Sequence, residues 1–180
     1  MSVVAIQGIR GSYSEEAATK MFGANVEILE CLNFTDAFQT LLRNRAEYAV
    51  IPFKNKIVGN IEVPNELFKN TNLKILDEIN LEIRHVLVGM QNAEFENLKT
   101  VCSHVEALKQ CENFLLSNPQ LQKISGADTA SSVRQIVKKN NSVNSAIGSR
   151  RAAEIYGAKI LRENIADDAD NQTTFYLLRK

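Results

Sequence analysis

The order of apolar and amphipathic segments constrains the fold of this chain most strongly. In the first third, short apolar runs alternate with stretches at helical spacing, in the order strand, helix, strand, helix, strand: Val3–Gln7, Ser14–Phe22, Val26–Glu30, Phe34–Arg43 and Tyr48–Ile51. Pro52 is expected to end the last of these strands, because proline cannot donate a ladder hydrogen bond. This alternation predicts a parallel sheet with covering helices.

The second half of the chain repeats the alternation after one long extended stretch. We interpret Leu73–Met90 as a strand pair that crosses from one lobe to another. Strands and helices then alternate again and end in a last β-prone segment: Thr100–Ser103, Val105–Leu116, Leu121–Ser125, Thr129–Lys138, Ser145–Ile147, Ser149–Tyr156, Lys159–Leu161 and Thr174–Leu178. Two such units predict two lobes that close on a cleft, with ligands at strand ends and helix N-termini.

Composition disfavours several classes of function. The 180 residues carry 21 acidic and 21 basic side chains, so no basic surface for nucleic acid is indicated. Cys31, Cys102 and Cys111 lack metal-ligand spacing and only two histidines occur, so we expect no zinc. The N-terminus has no signal-peptide pattern, and no apolar run approaches the roughly 20 residues of a membrane helix. Free cysteines fit a reducing compartment, and we expect a soluble, cytoplasmic protein without membrane contact.

Two loops in the first half carry candidate binding residues. In Gly8–Ala18, Ser14 looks like a helix start whose exposed N–H groups can bind an anion, although the Gly-Lys-Ser/Thr core of a phosphate loop is missing. The strand before Pro52 leads into a loop in which Lys54 and Lys56 flank Asn55, an amide placed to orient a substrate. Taken alone, the first loop is better explained as an ordinary capped turn, and the second as a solvated turn.

Three later segments show the same ambiguity. Ser103 ends a predicted strand and is expected to cap the next helix, with Gln110 on roughly the same face. An N-cap serine and a surface glutamine are the alternative interpretation. Asp128 or Thr129 caps another predicted helix and leaves N–H groups for a carboxylate, and Asn171–Phe175 leads into the last strand.

In this order and spacing, the five segments resemble the catalytic domain of the prephenate dehydratases over essentially the whole chain. The family's Gly-x-x-Gly-Thr/Ser-aromatic-Ser start with a following Ala-Ala is similar to Gly8–Ala18. Its other motifs are Pro-Ile-Glu-Asn-Ser-x-x-Gly, Ser-His-x-x-Ala-x-x-Gln-Cys, Asp-Thr-Ala, a late Ala-Ile segment ending in Tyr-Gly, and Asn-x-Thr-Arg-Phe. They are matched by Pro52–Gly59, Ser103–Cys111, Asp128–Ala130, Ala146–Gly157 and Asn171–Phe175.

The resemblance implies a two-lobed α/β fold like the type II periplasmic binding proteins, with the active site in the inter-lobe cleft. Lobe one would comprise about residues 1–78 and 162–180, and lobe two about residues 79–161. The family reaction removes carbon dioxide and the ring hydroxyl from prephenate, giving phenylpyruvate for phenylalanine biosynthesis, with no cofactor or metal. A homodimer is expected. Since the chain ends at Lys180, we expect no ACT regulatory domain and no inhibition by phenylalanine.

The resemblance also assigns roles to individual residues. The catalytic polar residues map to Asn55, Ser103, Gln110 and Thr173, and Thr173 would donate a hydrogen bond or proton to the departing hydroxyl. The remaining substrate contacts are Ser12, Ser14, Lys54, Lys56, Thr129, Ala130, Thr174 and Phe175.

Two motifs depart from the family pattern. Glu-Asn-Ser has become Lys54-Asn55-Lys56, and Thr-Arg-Phe has become Thr173-Thr174-Phe175. Lys54 or Lys56 could replace the charge of the missing arginine, or both could simply be solvated. Two other functions therefore stay open: a nonaromatising prephenate decarboxylase that keeps the ring hydroxyl, and a noncatalytic module that binds a small acid. The sequence does not separate prephenate from its amino counterpart arogenate.

Overall fold

The chain forms two compact α/β units in the computed structural model, which describes residues 2–180. The first unit contains the chain up to Ile83 together with Asp170–Lys180, and the second unit contains Arg84–Ala169. The chain therefore changes unit at Ile83 and at Asp170, whereas the sequence places the two boundaries near residues 78 and 162. The predicted α/β class is confirmed, and each unit has a sheet of its own.

The sheet of the first unit has six strands. They are β1 (Val3–Gln7), β2 (Glu27–Cys31), β3 (Tyr48–Asn55), β4 (Gly59–Asn60), β5 (Lys74–Glu82) and β11 (Gln172–Arg179). Their order is β2-β1-β3-β11-β5, with β4 paired to β3. β1 runs parallel to β2 and β3, whereas β11 runs antiparallel to β3 and β5, so the predicted parallel sheet is a mixed one.

Three helices cover the two faces of this sheet: α1 (Tyr13–Phe22), α2 (Phe34–Leu42) and α3 (Glu62–Lys69). Ala17 and Ala18 of α1 pack against one face, where the core also contains Val4, Ile6, Val50, Leu81 and Phe175. Phe38 and Leu41 of α2 pack against the other face, where the core also contains Ala5, Ala49, Ile51, Phe53 and Leu178. Burial of the sheet on both faces explains why β1 and the first six residues of β3 are almost wholly apolar.

One expectation for the first unit is wrong, and one helix was not predicted. β3 does not stop at Pro52 but continues to Asn55. Pro52 is tolerated because it lies at a register shift of the ladder with β11, where a missing N–H costs no regular bond. The helix α3 was not expected from the sequence; its Pro64 lies in the first turn, where proline is compatible with helix.

The sheet of the second unit has five strands: β6 (Val86–Gly89), β7 (Thr100–Ser103), β8 (Gln122–Ser125), β9 (Asn144–Gly148) and β10 (Lys159–Arg162). Their order is β10-β6-β9-β7-β8, with β7 parallel to β8 and β9 and with β6 antiparallel to β9 and β10. The helices are α4 (Val105–Lys109), α5 (Glu112–Leu116), α6 (Thr129–Lys139) and α7 (Arg150–Tyr156). Because β5 and β6 lie in different sheets, the predicted crossing strand pair in Leu73–Met90 is confirmed.

The single helix predicted over Val105–Leu116 is wrong, since the chain breaks it into α4 and α5. The Asp167 carboxylate accepts hydrogen bonds from the backbone N–H groups of Glu112 (3.1 Å) and Asn113 (3.1 Å). The backbone N–H of Asp167 donates to the carbonyl of Gln110 at 2.8 Å. Asp167 thus forms hydrogen bonds with backbone N–H and C=O groups that a continuous helix would pair internally. Because Asp167 is distant along the chain, the residues of the helix themselves do not indicate the break.

Within residues 2–180, no helix is both long and apolar enough to span a membrane.

Candidate active site

Asn55 and Thr173 form the core of a polar cluster in the first unit. Asn55 is the last residue of β3 and Thr173 the second residue of β11. They are register partners, and both are buried, each with 7% of its surface exposed. The Nδ2 of Asn55 donates to the Oγ1 of Thr173 at 2.9 Å and to the Oδ1 of Asn171 at 2.9 Å. Two of the predicted catalytic residues are therefore in direct contact.

The turn after β3 fixes the orientation of the Asn55 amide. Its Oδ1 accepts hydrogen bonds from the backbone N–H groups of Ile57 (2.9 Å) and Val58 (3.0 Å). Since backbone N–H groups can only donate, the carbonyl end of the amide must face the turn. The amino end must therefore face Thr173, and Asn55 acts as a donor to its hydroxyl oxygen.

The Thr173 hydroxyl keeps its proton available to donate. Within residues 2–180, the Thr173 hydroxyl takes part in one hydrogen bond, in which its oxygen accepts from Nδ2 of Asn55. A hydroxyl that already accepts a hydrogen bond becomes a better donor, because the two bonds polarise each other. The pair can therefore present an O–H donor to an oxygen atom of a ligand.

The ladder places this pair on the face of the sheet that packs against α1. Thr173 is opposite Leu81 on β5, and Leu81 belongs to the core with Ala17 and Ala18. The register shift between Thr174 and Phe175 keeps Asn55 in step with Thr173 despite the extra residue on β3. Phe175, predicted as a substrate contact, is a buried member of the same core.

Lys54 and Thr174 are also register partners, one position along the same two strands. Because side chains alternate between faces, this pair points to the face opposite to Asn55 and Thr173. The Oγ1 of Thr174 donates to the Oδ1 of Asn80 at 2.6 Å, and Lys54 is exposed. Lys56 lies beyond the strand in the turn and is exposed. The register thus separates Lys54 and Thr174 from Asn55 and Thr173.

The N-terminus of α1 differs from the predicted helix start. Ser12 rather than Ser14 is the N-cap, and its Oγ accepts from the backbone N–H of Glu15 at 3.2 Å. The buried Glu15 carboxylate accepts from the N–H of Gly11 at 3.3 Å and from the hydroxyl of Thr19 at 3.1 Å. Ser14 is buried in the first turn. A carboxylate of the chain itself therefore already lies at the positive end of this helix.

In the second unit, Ser103 ends β7 and is fully buried. Its Oγ donates to the carbonyl of Ile147 on β9 at 2.7 Å, so the proton of this hydroxyl is committed within the unit. The expectation that Ser103 caps the following helix is wrong, because His104 is the N-cap of α4 and its Nδ1 accepts from Glu106 N at 3.2 Å.

Gln110 lies at the break between α4 and α5. Its side chain contacts His85, which was not predicted as a site residue. The Oε1 of Gln110 is 2.9 Å from the Nε2 of His85, which is 2% exposed. Burial lowers the pKa of His85, and the hydrogen bond to Gln110 opposes this effect less strongly. His85 precedes β6 without a recognisable motif, and only the contact with Gln110 reveals it.

The N-terminus of α6 matches its prediction. Asp128 is the N-cap and accepts from the backbone N–H of Ser131 at 2.7 Å. Thr129 is the first helical residue, and Ala130 is fully buried behind it. Among residues 2–180, no group of three or more His, Cys, Asp or Glu side chains is arranged to hold a metal ion.

Comparison with known proteins identifies relatives for nearly the whole chain. The family model described as prephenate dehydratase matches residues 4–180. An Arabidopsis thaliana protein named arogenate dehydratase/prephenate dehydratase 2, chloroplastic, is 39% identical over 177 residues. That alignment covers 98% of this chain but 46% of the relative, so the chain spans less than half the length of this curated relative.

Solved structures share the fold. A prephenate dehydratase from Arthrobacter aurescens, crystallised in complex with L-Phe, superposes with a TM-score of 0.91 at 24% identity, covering 99% of this chain and 60% of that one. A periplasmic substrate-binding protein of an ABC transporter from Coxiella burnetii has a TM-score of 0.50 at 11% identity, covering 99% and 84%. At these identities both likenesses concern the fold alone, and they confirm the predicted α/β fold, which is similar to that of a periplasmic binding protein.

Proposed function

Because the chain belongs to the prephenate dehydratase family, we propose that it converts prephenate into phenylpyruvate, carbon dioxide and water. The observation that carries this proposal is the hydrogen bond from Asn55 to Thr173, which leaves the Thr173 hydroxyl as a donor. No cofactor is invoked, because formation of the aromatic ring drives the step.

The proposed reaction needs a hydrogen-bond or proton donor at the oxygen of the departing ring hydroxyl. The bond from the ring carbon to its carboxylate breaks, and its electron pair moves into the ring as carbon dioxide leaves. The ring C–O bond then breaks with its electron pair, and the departing hydroxide takes up a proton to become water. Hydroxide is a poor leaving group, and a positioned donor typically contributes about 10²–10⁴-fold. We propose Thr173 as that donor, with Asn55 holding its oxygen and increasing its acidity.

The other predicted residues take supporting roles in the proposal. Gln110 binds a substrate oxygen, whereas Ser103, buried and committed to Ile147, shapes the end of β7. Backbone N–H groups at Thr129 and Ala130 bind a substrate carboxylate, and Ser12 and Ser14 support the loop before α1.

We propose that Lys56, rather than Lys54, supplies a cation for a carboxylate of the substrate. It follows Asn55 in the turn, whereas Lys54 points to the other face of the sheet. Lys56→Ser restores the family residue but removes this cation, so it should raise KM for prephenate while leaving kcat less affected. An unchanged KM would leave Lys56 as a solvated residue.

Product identity tests the proposed reaction against its alternatives. The purified protein is incubated with prephenate at slightly basic pH, where spontaneous acid-driven aromatisation is slow, and the product is identified by mass and ultraviolet spectrum. Phenylpyruvate supports dehydration. A nonaromatic dihydro-hydroxyphenylpyruvate would establish the decarboxylase instead, and unchanged prephenate would leave a binding module. A parallel incubation with arogenate, the amino counterpart of prephenate, determines the substrate preference.

We also propose a cytoplasmic homodimer that binds neither nucleic acid nor membrane. The free cysteines, of which Cys31 and Cys111 are buried, support a reducing compartment, and the equal numbers of acidic and basic residues argue against nucleic acid. Sedimentation equilibrium measures the oligomeric state, and a monomeric mass at micromolar concentration would contradict the dimer.

A further inference from the structure

The backbone around Gln110 is held by a segment that also holds His85. The N–H of Asp167 donates to the carbonyl of Gln110 at 2.8 Å, and the N–H of Ile165 donates to the carbonyl of His85 at 3.4 Å. The same short segment therefore binds both backbones. The two side chains then meet at 2.9 Å between Nε2 of His85 and Oε1 of Gln110.

The chemistry of the two groups fixes the direction of this hydrogen bond. The Oε1 of a carboxamide only accepts, so the Nε2 of His85 carries the proton and donates it. Burial of His85 lowers its pKa, which favours the neutral ring at neutral pH. The carbonyl end of Gln110 thus accepts a hydrogen bond from a buried neutral ring, and its NH₂ group points away from that ring.

This orientation matters for the proposed substrate. Prephenate carries two carboxylates, a keto group and a hydroxyl, so its polar atoms are oxygens that mainly accept hydrogen bonds. A carboxamide turned by half a rotation has nearly the same shape, but it exchanges its donor end for its acceptor end. An inverted Gln110 would then present a carbonyl to a substrate oxygen and repel it.

We infer that His85 is a positioning residue that orients the Gln110 carboxamide, so that Gln110 meets the substrate with its NH₂ group. The inference rests on the proposed function, in which Gln110 binds a substrate oxygen. It adds a residue that lies outside the sequence motifs of the site.

Two substitutions of His85 test the inference. His85→Leu keeps an apolar side chain in the buried position and removes the donor. His85→Gln keeps an N–H at a position similar to Nε2. We expect His85→Leu to lower kcat/KM for prephenate about tenfold, in line with the loss of one orienting hydrogen bond, and His85→Gln to recover most of it. Ser145→Ala is the matched control, because it removes a hydrogen bond made by another buried side chain of the second unit, to the Thr100 carbonyl at 2.6 Å.

A double-mutant cycle separates orientation from general destabilisation. Gln110→Met removes the carboxamide, so adding His85→Leu to it should cost no further activity if His85 acts through Gln110. Equal losses of kcat/KM from His85→Leu with and without Gln110→Met would overturn the inference. The same holds if His85→Gln lowers kcat/KM as much as His85→Leu does. Ser145→Ala should cost the same in both backgrounds.

A spectroscopic measurement keeps this inference distinct from the proposed function. The side-chain NH₂ resonances of Gln110 should be sharp and well dispersed in the unsubstituted protein and in His85→Gln. They should move towards averaged positions in His85→Leu. If the unsubstituted protein does not turn over prephenate, the proposed function fails and these resonances alone decide whether His85 orients Gln110. Identical Gln110 resonances in all three proteins would overturn the inference.

Discussion

Lys54 on β3 lies directly opposite Thr174 on β11 in the antiparallel ladder of the first sheet. The prephenate dehydratase pattern has glutamate at the first position and arginine at the second, so the two departures of this chain fall on one cross-strand pair. An opposed Glu–Arg pair is attractive, whereas Lys opposite Arg would be repulsive. In this chain lysine faces a neutral threonine, so the two departures together do not set like charges opposite each other.

This pairing predicts a coupling in stability between positions 54 and 174. Thr174→Arg alone should lower the free energy of unfolding, because it sets a second cation opposite Lys54. Adding Lys54→Glu should recover part of it, with a favourable coupling of about 0.2–1 kcal/mol, although the hydrogen bond from Thr174 to Asn80 stays lost. Urea unfolding of the four proteins measures this term. Lys56→Glu with Thr174→Arg is the control and should show a smaller coupling; equal coupling for both lysines would refute the pairing argument.

Replacement of Asn55 tests the donor to Thr173. Asn55→Asp keeps the shape and the acceptor for Ile57 and Val58 but removes the N–H that binds Thr173. Turnover of prephenate should fall about 10²-fold or more, as for loss of a preorganised donor. Asn65→Asp is the control, since the Asn65 amide donates only to the carbonyls of Phe53 and Ile61 and should cost stability rather than turnover. Similar turnover in both variants would remove Asn55 from the mechanism.

Ser103 can be compared with Ser145, since both are fully buried serines whose hydroxyls donate to backbone carbonyls. Ser103→Ala and Ser145→Ala should each lower the free energy of unfolding by about 0.5–1.5 kcal/mol, because each removes one hydrogen bond made by a buried hydroxyl. If Ser103 shapes the substrate site, only Ser103→Ala should also lower kcat/KM beyond what its stability explains. Equal kinetic effects of the two changes would make Ser103 purely structural.

The sequence predicts the alternation of strands and helices well where local signals determine it. The Asp128 cap and the strand Thr100–Ser103 need no information beyond their own residues. The break at Gln110 escapes prediction because Asp167, far along the chain, supplies the groups that interrupt the helix. The strand end predicted at Pro52 is wrong for a similar reason, because the register with β11 determines whether its missing N–H removes a ladder hydrogen bond.

The candidate site shows the same division between local and remote information. Motif resemblance selects Asn55, Thr173 and Gln110, but it does not show that Asn55 donates to Thr173. His85 belongs to no motif and becomes visible only through its contact with Gln110. Nor does the sequence show that Lys54 and Thr174 are opposite each other, which changes the interpretation of both.

The lowered pKa of His85 predicts a pH dependence of stability. Between the ordinary pKa of histidine, 6.5, and the lower pKa in the folded protein, the unfolded chain binds more protons than the folded one. The free energy of unfolding should therefore fall as the pH decreases through this window and be restored above it. His85→Leu should flatten this part of the profile, as measured by urea unfolding between pH 5 and 8. Parallel profiles for the two proteins would contradict a neutral, buried His85.

We propose that the Thr173 hydroxyl, held by Asn55, assists departure of the ring hydroxyl. Removal of the Thr173 hydroxyl alone tests this proposal directly. Phenylpyruvate formation from prephenate is compared for the unsubstituted protein, Thr173→Val and Thr173→Ser, with folding checked by thermal unfolding. The account predicts a loss of about 10²-fold or more for Thr173→Val, and much smaller for Thr173→Ser, which keeps the donor. Near-normal turnover by Thr173→Val, or an equal loss in both variants, would contradict it.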